Sequence, residues 1–362
     1  MQPARILQIT SYPPPRAGWG VRVEYLKRQL EAEGHECVVL NTGTSRKIPS
    51  TEYETVMDGW DYLRKVVRFV RAGFTPHIHV NGASEKGLVL SFIAEAVSLL
   101  FGRRPFLTFH AGIEQVIFPR TKAPAWAPVF RLLFAPPKII ICNSEAVKAK
   151  IVEYGVPASK VVPIPAFSRQ YLEEQAVSLS PQLQDFFDRF EQVIFCYIRM
   201  RPLFYPVEVV RGFAQLAVRR ASVGLVLCGI SEHMEGDLLP KARQEVHGAG
   251  IEDRVLFVDD LDHPMFLAAL RRATLYLRSH VSDGVCSSVL ESLSFGVPVV
   301  ASENHTRPPG VRCYPAEDPA ALADALADVL ERRQQIAADL EVPQLSDTVR
   351  TEVDLLAGTT IP

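Results

Sequence analysis

From residue 282 the chain reads SDGVCSSVLE, and from residue 292 it continues SLSFGVPVV. Small and polar residues come first, an apolar pattern with helical spacing follows, and a Gly-Val-Pro turn leads into two valines. This order predicts a loop, a helix, a turn and a strand. Helices that alternate with short apolar strands are typical of α/β domains.

Two carboxylates, Asp283 and Glu291, stand eight positions apart in this stretch. The N-terminus of a helix offers free N–H groups and the positive end of the helix dipole, so it can hold an anion. Glu291 would lie about two turns into the helix, near the face that Asp283 precedes. The pattern suits a phosphate flanked by hydroxyl-rich rings, as in a nucleotide sugar. For an isolated pair, however, an N-cap and a solvated surface glutamate are the commoner explanation.

The length and composition are those of a globular protein with two domains. A chain of 362 residues is longer than a single hydrophobic core usually supports. Of its residues, 48% are hydrophobic and 22% are charged, as in globular proteins. The formal net charge of -2 gives no overall electrostatic attraction to nucleic acid or to anionic membranes. We therefore expect no nucleic-acid partner.

The sequence also predicts where the protein works. Six cysteines lack paired spacing, which indicates buried thiols in a reducing compartment and neither disulfides nor a zinc site. The N-terminus runs directly into a strand without a signal peptide, and the longest apolar run, 88–101, is too short for a bilayer span. We expect a cytoplasmic protein, soluble or peripheral at the inner face of the membrane.

Short apolar strands alternate with helical patterns through most of the chain. This alternation pauses in a more polar stretch, 168–191, and then restarts. Continuous apolar strands between helices indicate parallel sheets covered on both faces. The sequence predicts an α/β protein with two doubly wound Rossmann-like domains, divided near residue 168, that face a ligand-binding interdomain cleft. The strands are predicted at 5–10, 37–40, 77–80, 105–109, 139–142, 193–197, 224–228, 255–258, 275–277 and 297–301.

Two candidates for chemistry lie in the first predicted domain. The loop 13–20 joins a strand to a helix, and its glycines, Gly18 and Gly20, let backbone N–H groups approach an anion. A proline-rich turn explains the loop equally well. His110 ends a strand beside small residues, where it could act as a hydrogen-bond donor or a base. A satisfied core histidine is the commoner case.

Two candidates lie in the second predicted domain. Arg199 and Arg201 follow its first strand, where two cations could neutralise a diphosphate; without further context they are a pair of surface charges. The pair Asp260 and Asp262 is similar to the Asp-x-Asp of metal-dependent sugar transferases, but a solvated turn is the preferred interpretation. No cluster of histidines and cysteines has the spacing of metal ligands.

The segment 122–138 mixes basic and aromatic residues, including Trp126 and Phe130. Such a segment can lie in a membrane interface. A helix that packs onto its own domain has the same composition, and we favour packing.

The pattern as a whole resembles the retaining glycosyltransferases of family 4, which have the GT-B fold. The resemblance covers most of the chain and depends on four features in order: the strand and glycine loop 6–20, the strand-end His110, the run 139–165, and the acid-x7-acid helix with its Gly-x-Pro at 283–301. Their order and spacing together are specific. The resemblance implies an N-terminal acceptor domain, 1–167, and a C-terminal donor domain, 168–343, with the segment 344–362 returning to the first.

The resemblance also implies a role for each matching residue. Glu291 would accept hydrogen bonds from the ribose hydroxyls, Asp283 would hold the sugar, and the backbone near 258–261 would contact the base. His110 would lie near the sugar and the two arginines near the diphosphate. The catalytic residues implied are His110, Asp283, Arg199 and Arg201, and the donor-binding residues are Gly18, Gly20, Gly284, Val285, Cys286, Ser287, Ser288 and Glu291.

The reaction implied is a hexosyl-type transfer with retention and without a metal or other cofactor. UDP- or GDP-sugars are the expected donors, and a glycan, a glycolipid or a small molecule is the expected acceptor. The setting would be polysaccharide, glycolipid or cell-envelope glycan assembly.

The chain departs from the family pattern at two positions. The first carboxylate is Asp283 where a glutamate is usual, and the usual lysine after the second domain's first strand falls on or near Phe204. Losing a cation from a diphosphate site would weaken leaving-group stabilisation by a few kcal/mol, unless Arg201 substitutes. Two alternatives therefore stay open: a non-catalytic or weakly active nucleotide-sugar-binding protein, and a phosphorylase-like or epimerase-like enzyme.

Overall fold

The computed structural model describes residues 3–13, 18–110, 112, 115–172, 177–230, 236–282, 286–340, 343 and 345–358. The chain forms two compact units. The first comprises Met1–Gln170 together with Ser346–Pro362, and the second comprises Tyr171–Leu345.

The first unit is built on a six-stranded parallel sheet with the strand order β2-β1-β3-β4-β5-β6. Its strands are short runs of buried apolar residues, which is why both faces can be covered by helices. The strands are β1 Arg5–Thr10, β2 Glu36–Asn41, β3 Thr75–Val80, β4 Phe106–Phe109, β5 Ile139–Cys142 and β6 Val161–Pro163.

Five helices connect these strands. Side-chain caps fix three of their starts, because Asp58, Ser84 and Ser144 each accept a hydrogen bond from an N–H of the first turn. The helices are α1 Gly18–Ala32, α2 Gly59–Arg71, α3 Glu85–Leu100, α4 Ala127–Phe134 and α5 Glu145–Val152. Phe130 of α4 is fully buried in the core of this unit and Trp126 packs against that core, as the packing interpretation of this segment requires.

The second unit repeats the plan with the strand order β12-β11-β10-β7-β8-β9, again all parallel. Its strands are β7 Gln192–Tyr197, β8 Val223–Cys228, β9 Val255–Val258, β10 Leu275–Arg278, β11 Val299–Ser302 and β12 Val311–Tyr314. Its helices are α6 Pro181–Arg189, α7 Pro206–Arg219, α8 Leu238–Gly248, α9 His263–Arg272, α10 Ser287–Ser294, α11 Pro319–Glu331 and α12 Arg333–Asp339.

The last helix, α13 Thr348–Ala357, packs in the first unit against α1. Its start is fixed by Asp347, whose side chain accepts from the N–H of Arg350. Thr348 Oγ1 donates to the carbonyl of Phe167 at 3.0 Å. This bond joins the start of α13 to the last residues of the segment Met1–Gln170.

The prediction of an α/β protein with two doubly wound domains is confirmed. The sequence prediction missed the strands β6 and β12 and the helices α2, α6, α11, α12 and α13. Strand β6 has three residues and ends in proline, so it gives almost no periodic signal. Helix α6 lies in the stretch interpreted as a polar connection, yet Leu183, Phe186 and Phe187 repeat with helical spacing and are buried. Over the described residues, no helix has the length and apolarity to cross a bilayer.

Each sheet has one point at which the strand order reverses. In the first unit the chain runs from β1 to β2 and then crosses to β3 on the other side of β1. In the second it runs from β7 through β8 and β9 and then crosses to β10 on the other side of β7. Ligands of doubly wound sheets bind beyond the carboxyl ends of the strands at such switch points.

A buried carboxyl in α3 allows a test of this packing. Glu95 is 2% exposed, and burial raises its pKa to about 9. The folded protein must therefore keep a proton that the unfolded chain releases above the ordinary pKa of 4.5. We expect Glu95→Gln to stabilise the protein by on the order of 2 kcal/mol at pH 8, and this gain should shrink toward pH 5.

Urea unfolding at the two pH values measures the effect. Glu85→Gln, an exposed change of the same kind at the start of α3, is the control. A gain that is no larger at pH 8 than at pH 5 would contradict a raised pKa of the Glu95 carboxyl in the fold.

Candidate functional site

The predicted site residues of the second unit follow β7 and β10, the two strands at its switch point. Helix α10 begins at Ser287 directly after β10 and its loop. Its start is fixed to β10 because the Tyr276 hydroxyl donates to Ser288 Oγ at 2.6 Å, and Cys286 Sγ lies 3.2 Å from the same oxygen. The N–H groups of a first helical turn lack intrahelical acceptors, so this end of α10 is suited to an anion. Asp283, Gly284 and Val285 lie outside the described residues.

Glu291 lies in the second turn of α10 and is only 3% exposed. Its Oε1 is 3.0 Å from Nε2 of His263, the first residue of α9. The imidazole fixes the carboxylate in one orientation, because a buried acceptor with a bonded partner has few alternatives. The sequence analysis did not select His263. It is 28 positions from Glu291, and only the packing of α9 beside α10 brings the two together.

Arg199 follows β7, and its hydrogen-bond partners follow the next two strands of the sheet, β8 and β9. Its Nη2 lies 2.6 Å from Asp260 Oδ2, and its Nη1 donates to the carbonyl of Gly229 at 3.3 Å. Asp260 therefore orients a cation, and Asp262 caps α9 by accepting from the N–H of Met265. Arg201, in the same loop, is exposed. The two arginines thus differ: one is fixed and one is open to solvent.

Phe204, on or near which the expected lysine falls, is buried. Its ring lies 4.3 Å from the His280 ring in an edge-to-face arrangement. The Arg278 guanidinium lies 5.3 Å from the Phe204 ring and 5.6 Å from the Tyr197 ring. Arg278 is 8% exposed and ends β10, so a buried cation lies beside the Phe204 ring. The sequence signal that could have identified Arg278 is its position as a charged residue directly after the apolar run Leu-Tyr-Leu.

His110 follows β4 in the first unit and belongs to a hydrogen-bonded group. Its Nε2 lies 2.8 Å from His79 Nδ1, and His79 Nε2 lies 2.8 Å from Gln8 Oε1. The Trp19 ring packs edge-on against His110 at 4.6 Å. Loss of hydration holds the pKa of the His110 imidazole well below its usual range, and the positive charge of Arg22 lowers it further. His110 is therefore neutral at physiological pH.

The glycine loop leads into the same region. Helix α1 begins at Gly18, and Gly20 lies against Pro13 and the carbonyl of Ser11. The first turn of α1 thus packs on the loop that follows β1. Residues 14–17 lie outside the described part of the chain.

A buried ion pair between Arg22 and Glu352 joins α1 to α13. Arg22 Nε donates to Glu352 Oε2 at 2.6 Å, and Arg22 Nη2 contacts the same oxygen. Their side chains are 2% and 0% exposed. His77 Nε2 lies 3.8 Å from Glu352 Oε1 and 2.7 Å from Thr108 Oγ1. Burial raises the pKa of Glu352, and the neighbouring arginine opposes that rise.

The ion pair gives a prediction about the stability of α1. Removal of one partner leaves a buried charge without compensation, which costs about 3–5 kcal/mol. We expect Glu352→Ala to lower the free energy of unfolding by that amount in urea titrations. Arg350 lies in the same helix as Glu352, and Arg350→Ala breaks exposed contacts with Glu33 and Asp354, so this change should cost less than about 1 kcal/mol. Equal losses would mean that the buried pair does not fix α13 on α1.

Two family profiles match the sequence. The profile of glycosyltransferase family 4 matches residues 17–167, and that of the glycosyl transferases group 1 matches residues 206–332. Among curated proteins, none matches the sequence.

Solved structures share the fold over the whole chain at low identity. Alr3699/HepE of Anabaena, crystallised with UDP-glucose, has a TM-score of 0.68 at 15% identity, over 98% of this chain and 99% of that one. A glycosyltransferase of Rickettsia africae has a TM-score of 0.65 at 13% identity, over 99% of each chain. The sucrose-phosphate synthase of Thermosynechococcus elongatus has 0.62 at 19% identity, over 98% and 95%.

These matches confirm the GT-B fold that the sequence predicts. The two profiles together cover most of both units, from the end of the glycine loop to α11. The chain therefore belongs to the group 1 glycosyltransferases.

Proposed function

We propose that this protein is a retaining glycosyltransferase that moves a hexose from a nucleoside-diphosphate sugar to an acceptor hydroxyl. One observation carries the proposal: a buried carboxylate, Glu291, is held by His263 in the second turn of a helix that starts at the switch point of the second unit. A fixed acceptor behind an anion-binding helix start suits a ribose followed by a diphosphate. A UDP-sugar is the favoured donor, because the similar Anabaena protein was crystallised with UDP-glucose.

The donor would be held mainly by α10 and the loop before it. Glu291 would accept hydrogen bonds from the ribose hydroxyls, and the first-turn N–H groups would bind the diphosphate. Asp283 would hold the sugar, and the glycine loop of the first unit would contribute further N–H groups. The residues assigned to these contacts are Gly18, Gly20, Asp283, Gly284, Val285, Cys286, Ser287, Ser288 and Glu291.

The chemical step would depend on stabilising the departing diphosphate. Arg199 suits this role because Asp260 and the Gly229 carbonyl hold its guanidinium in place before any ligand arrives. Arg201 would add a second, adaptable cation. In a retaining reaction on one face of the sugar, the departing phosphate would help to deprotonate the acceptor. Arginines and the helix start would neutralise the diphosphate, so the scheme needs no metal.

The acceptor is assigned by class only. A hydroxyl of a glycan, a glycolipid or a small molecule would react, in the assembly of polysaccharide, glycolipid or cell-envelope glycan. We place the protein in the cytoplasm, either soluble or at the inner face of the membrane.

Donor binding provides the first test. Glu291→Ala removes an acceptor for two hydroxyls, and each charge-assisted hydrogen bond contributes about 1.5–3 kcal/mol. We expect the Kd for UDP-sugar, measured by calorimetry, to rise at least about 10-fold. Glu245→Gln, an exposed change on α8 that breaks a pair with Arg211, is the control. An unchanged Kd in Glu291→Ala would remove this residue from the donor site.

The cations provide the second test. We expect Arg199→Ala to lower kcat by about 10²-fold with a smaller change in KM, because its charge acts on the leaving group. Arg201→Ala should cost less, since its side chain is not held in advance. Arg219→Ala, which breaks an exposed pair with Asp324, controls for loss of charge in the same unit. The assignment is wrong if kcat in Arg199→Ala stays within a factor of two of the wild type.

A second candidate function is nucleotide-sugar binding without transfer. It is favoured by Phe204, on or near which the expected lysine falls and whose ring is buried. Incubation with UDP-, GDP- and ADP-sugars and a set of acceptors separates the candidates through thermal shift and nucleotide release. Stabilisation with acceptor-dependent release supports the transferase, and stabilisation without any release supports the binding protein. Turnover without an acceptor would indicate an epimerase-like enzyme, and no stabilisation by any sugar would contradict all three.

A further inference from the structure

A chain of hydrogen bonds runs through the first unit to His110. Gln8 lies in β1, His79 in β3, and His110 directly after β4. These strands are neighbours in the order β1-β3-β4, and the register pairs Gln8 with His77 and His79 with Thr108. His79 is two residues after His77, and His110 is two residues after Thr108. Because side chains alternate along a strand, each of these histidines is on the same face of the sheet as the residue two positions before it. The three side chains can therefore form one chain of hydrogen bonds because β1, β3 and β4 are parallel neighbours in this register.

The hydrogen-bond partners determine which ring nitrogen of each histidine carries the proton. Gln8 Oε1 faces His79 Nε2 at 2.8 Å, and an amide oxygen can only accept. His79 therefore carries its proton on Nε2 and offers the lone pair of Nδ1. His110 Nε2 lies 2.8 Å from that atom, so it must donate. The ring planes differ by only 17° and the ring centroids are 5.1 Å apart, so the 2.8 Å bond lies close to both planes.

The surroundings keep both rings neutral. Loss of hydration holds the pKa of His79 well below its usual range, and His77, His110 and Arg22 lower it further. The pKa of His110 falls for the same first reason, followed by Arg22 and His77. The Glu352 carboxyl, whose Oε1 lies 3.8 Å from His77 Nε2, is already bound to Arg22. A neutral imidazole with a proton on Nε2 has an unprotonated Nδ1.

We propose that Gln8 and His79 are positioning residues that hold His110 as the neutral Nε2–H tautomer, so that its Nδ1 accepts a hydrogen bond from a substrate hydroxyl. The substrate part of this inference rests on the proposed function. A lone pair attracts a hydroxyl and repels a phosphate oxygen, so His110 selects the sugar or the acceptor and not the diphosphate. A ring with so low a pKa is a poor base, so His110 orients its partner without removing a proton.

The tautomer can be observed directly. We would label the nine histidines with ¹⁵N and record long-range ¹H–¹⁵N correlation spectra of the full chain at pH 7. The His110 signals are assigned as those lost in His110→Gln. The expected spectrum has a protonated Nε2 and a bare Nδ1 for His110. A proton on Nδ1 in the wild type would overturn the proposal.

The role of Gln8 is tested by Gln8→Met, which keeps the side-chain length and removes the acceptor. His79 is then free to reverse its tautomer, and we expect the His110 proton to move toward Nδ1. Thr108→Val is the matched control, because it removes the partner of His77 and leaves the chain to His110 intact. A wild-type pattern in Gln8→Met would exclude the positioning role, as would an equal change in the control.

Kinetics then separate positioning from stability. We expect Gln8→Met to lower kcat at least 10-fold more than it raises the donor KM, with a melting temperature close to that of Thr108→Val. An equal loss of kcat in both variants would point to a structural role and contradict the proposal. If no nucleotide sugar is turned over, the proposed function fails, while the spectra still decide the tautomer.

Discussion

The parallel direction of the strands within each sheet is the constraint on which the chemistry depends. Parallel strands end at the same edge, so loops that follow β1, β3 and β4 meet in the first unit, and those after β7 and β10 meet in the second. The apolar strands fill the core, and polar side chains collect where the strands stop. His110, Arg199 and Glu291 each belong to such an edge, although they are far apart in sequence.

Much of this arrangement could be predicted from the sequence, because apolar runs mark strands and polar residues mark their ends. The partners of the predicted residues could not. His263 and Glu291 meet through helix packing, and His79 and His110 meet only because β3 and β4 are neighbours in a particular register. The hydrophobic pattern shows which face of a strand is buried, but it does not show which residue of a distant strand lies opposite. A partial signal did exist: alternate polar residues, His77 and His79, inside a buried strand.

The two units use buried polarity in different ways. In the first, Arg22 and Glu352 neutralise each other, and the histidines nearby stay uncharged because hydration is lost. Such a site can present a lone pair but not a net charge. In the second, Arg199 keeps its charge because Asp260 compensates it at the edge of the sheet. A neutral hydrogen-bond acceptor suits a hydroxyl, and a held cation suits an anion, so the two units present different chemistry at the edges of their sheets.

The presence of Phe204 on or near the position of the expected lysine is best understood together with Arg278. A buried arginine at the end of a strand is costly unless its charge is stabilised, and the rings of Tyr197 and Phe204 lie within cation–π range of its guanidinium. Phe204 thus supports a cation nearby instead of supplying one. An arginine held by aromatic rings loses less side-chain entropy on binding an anion than a flexible lysine does. Phe204 is therefore part of the environment that stabilises the buried charge of Arg278, and positive charge is still present at this edge of the sheet.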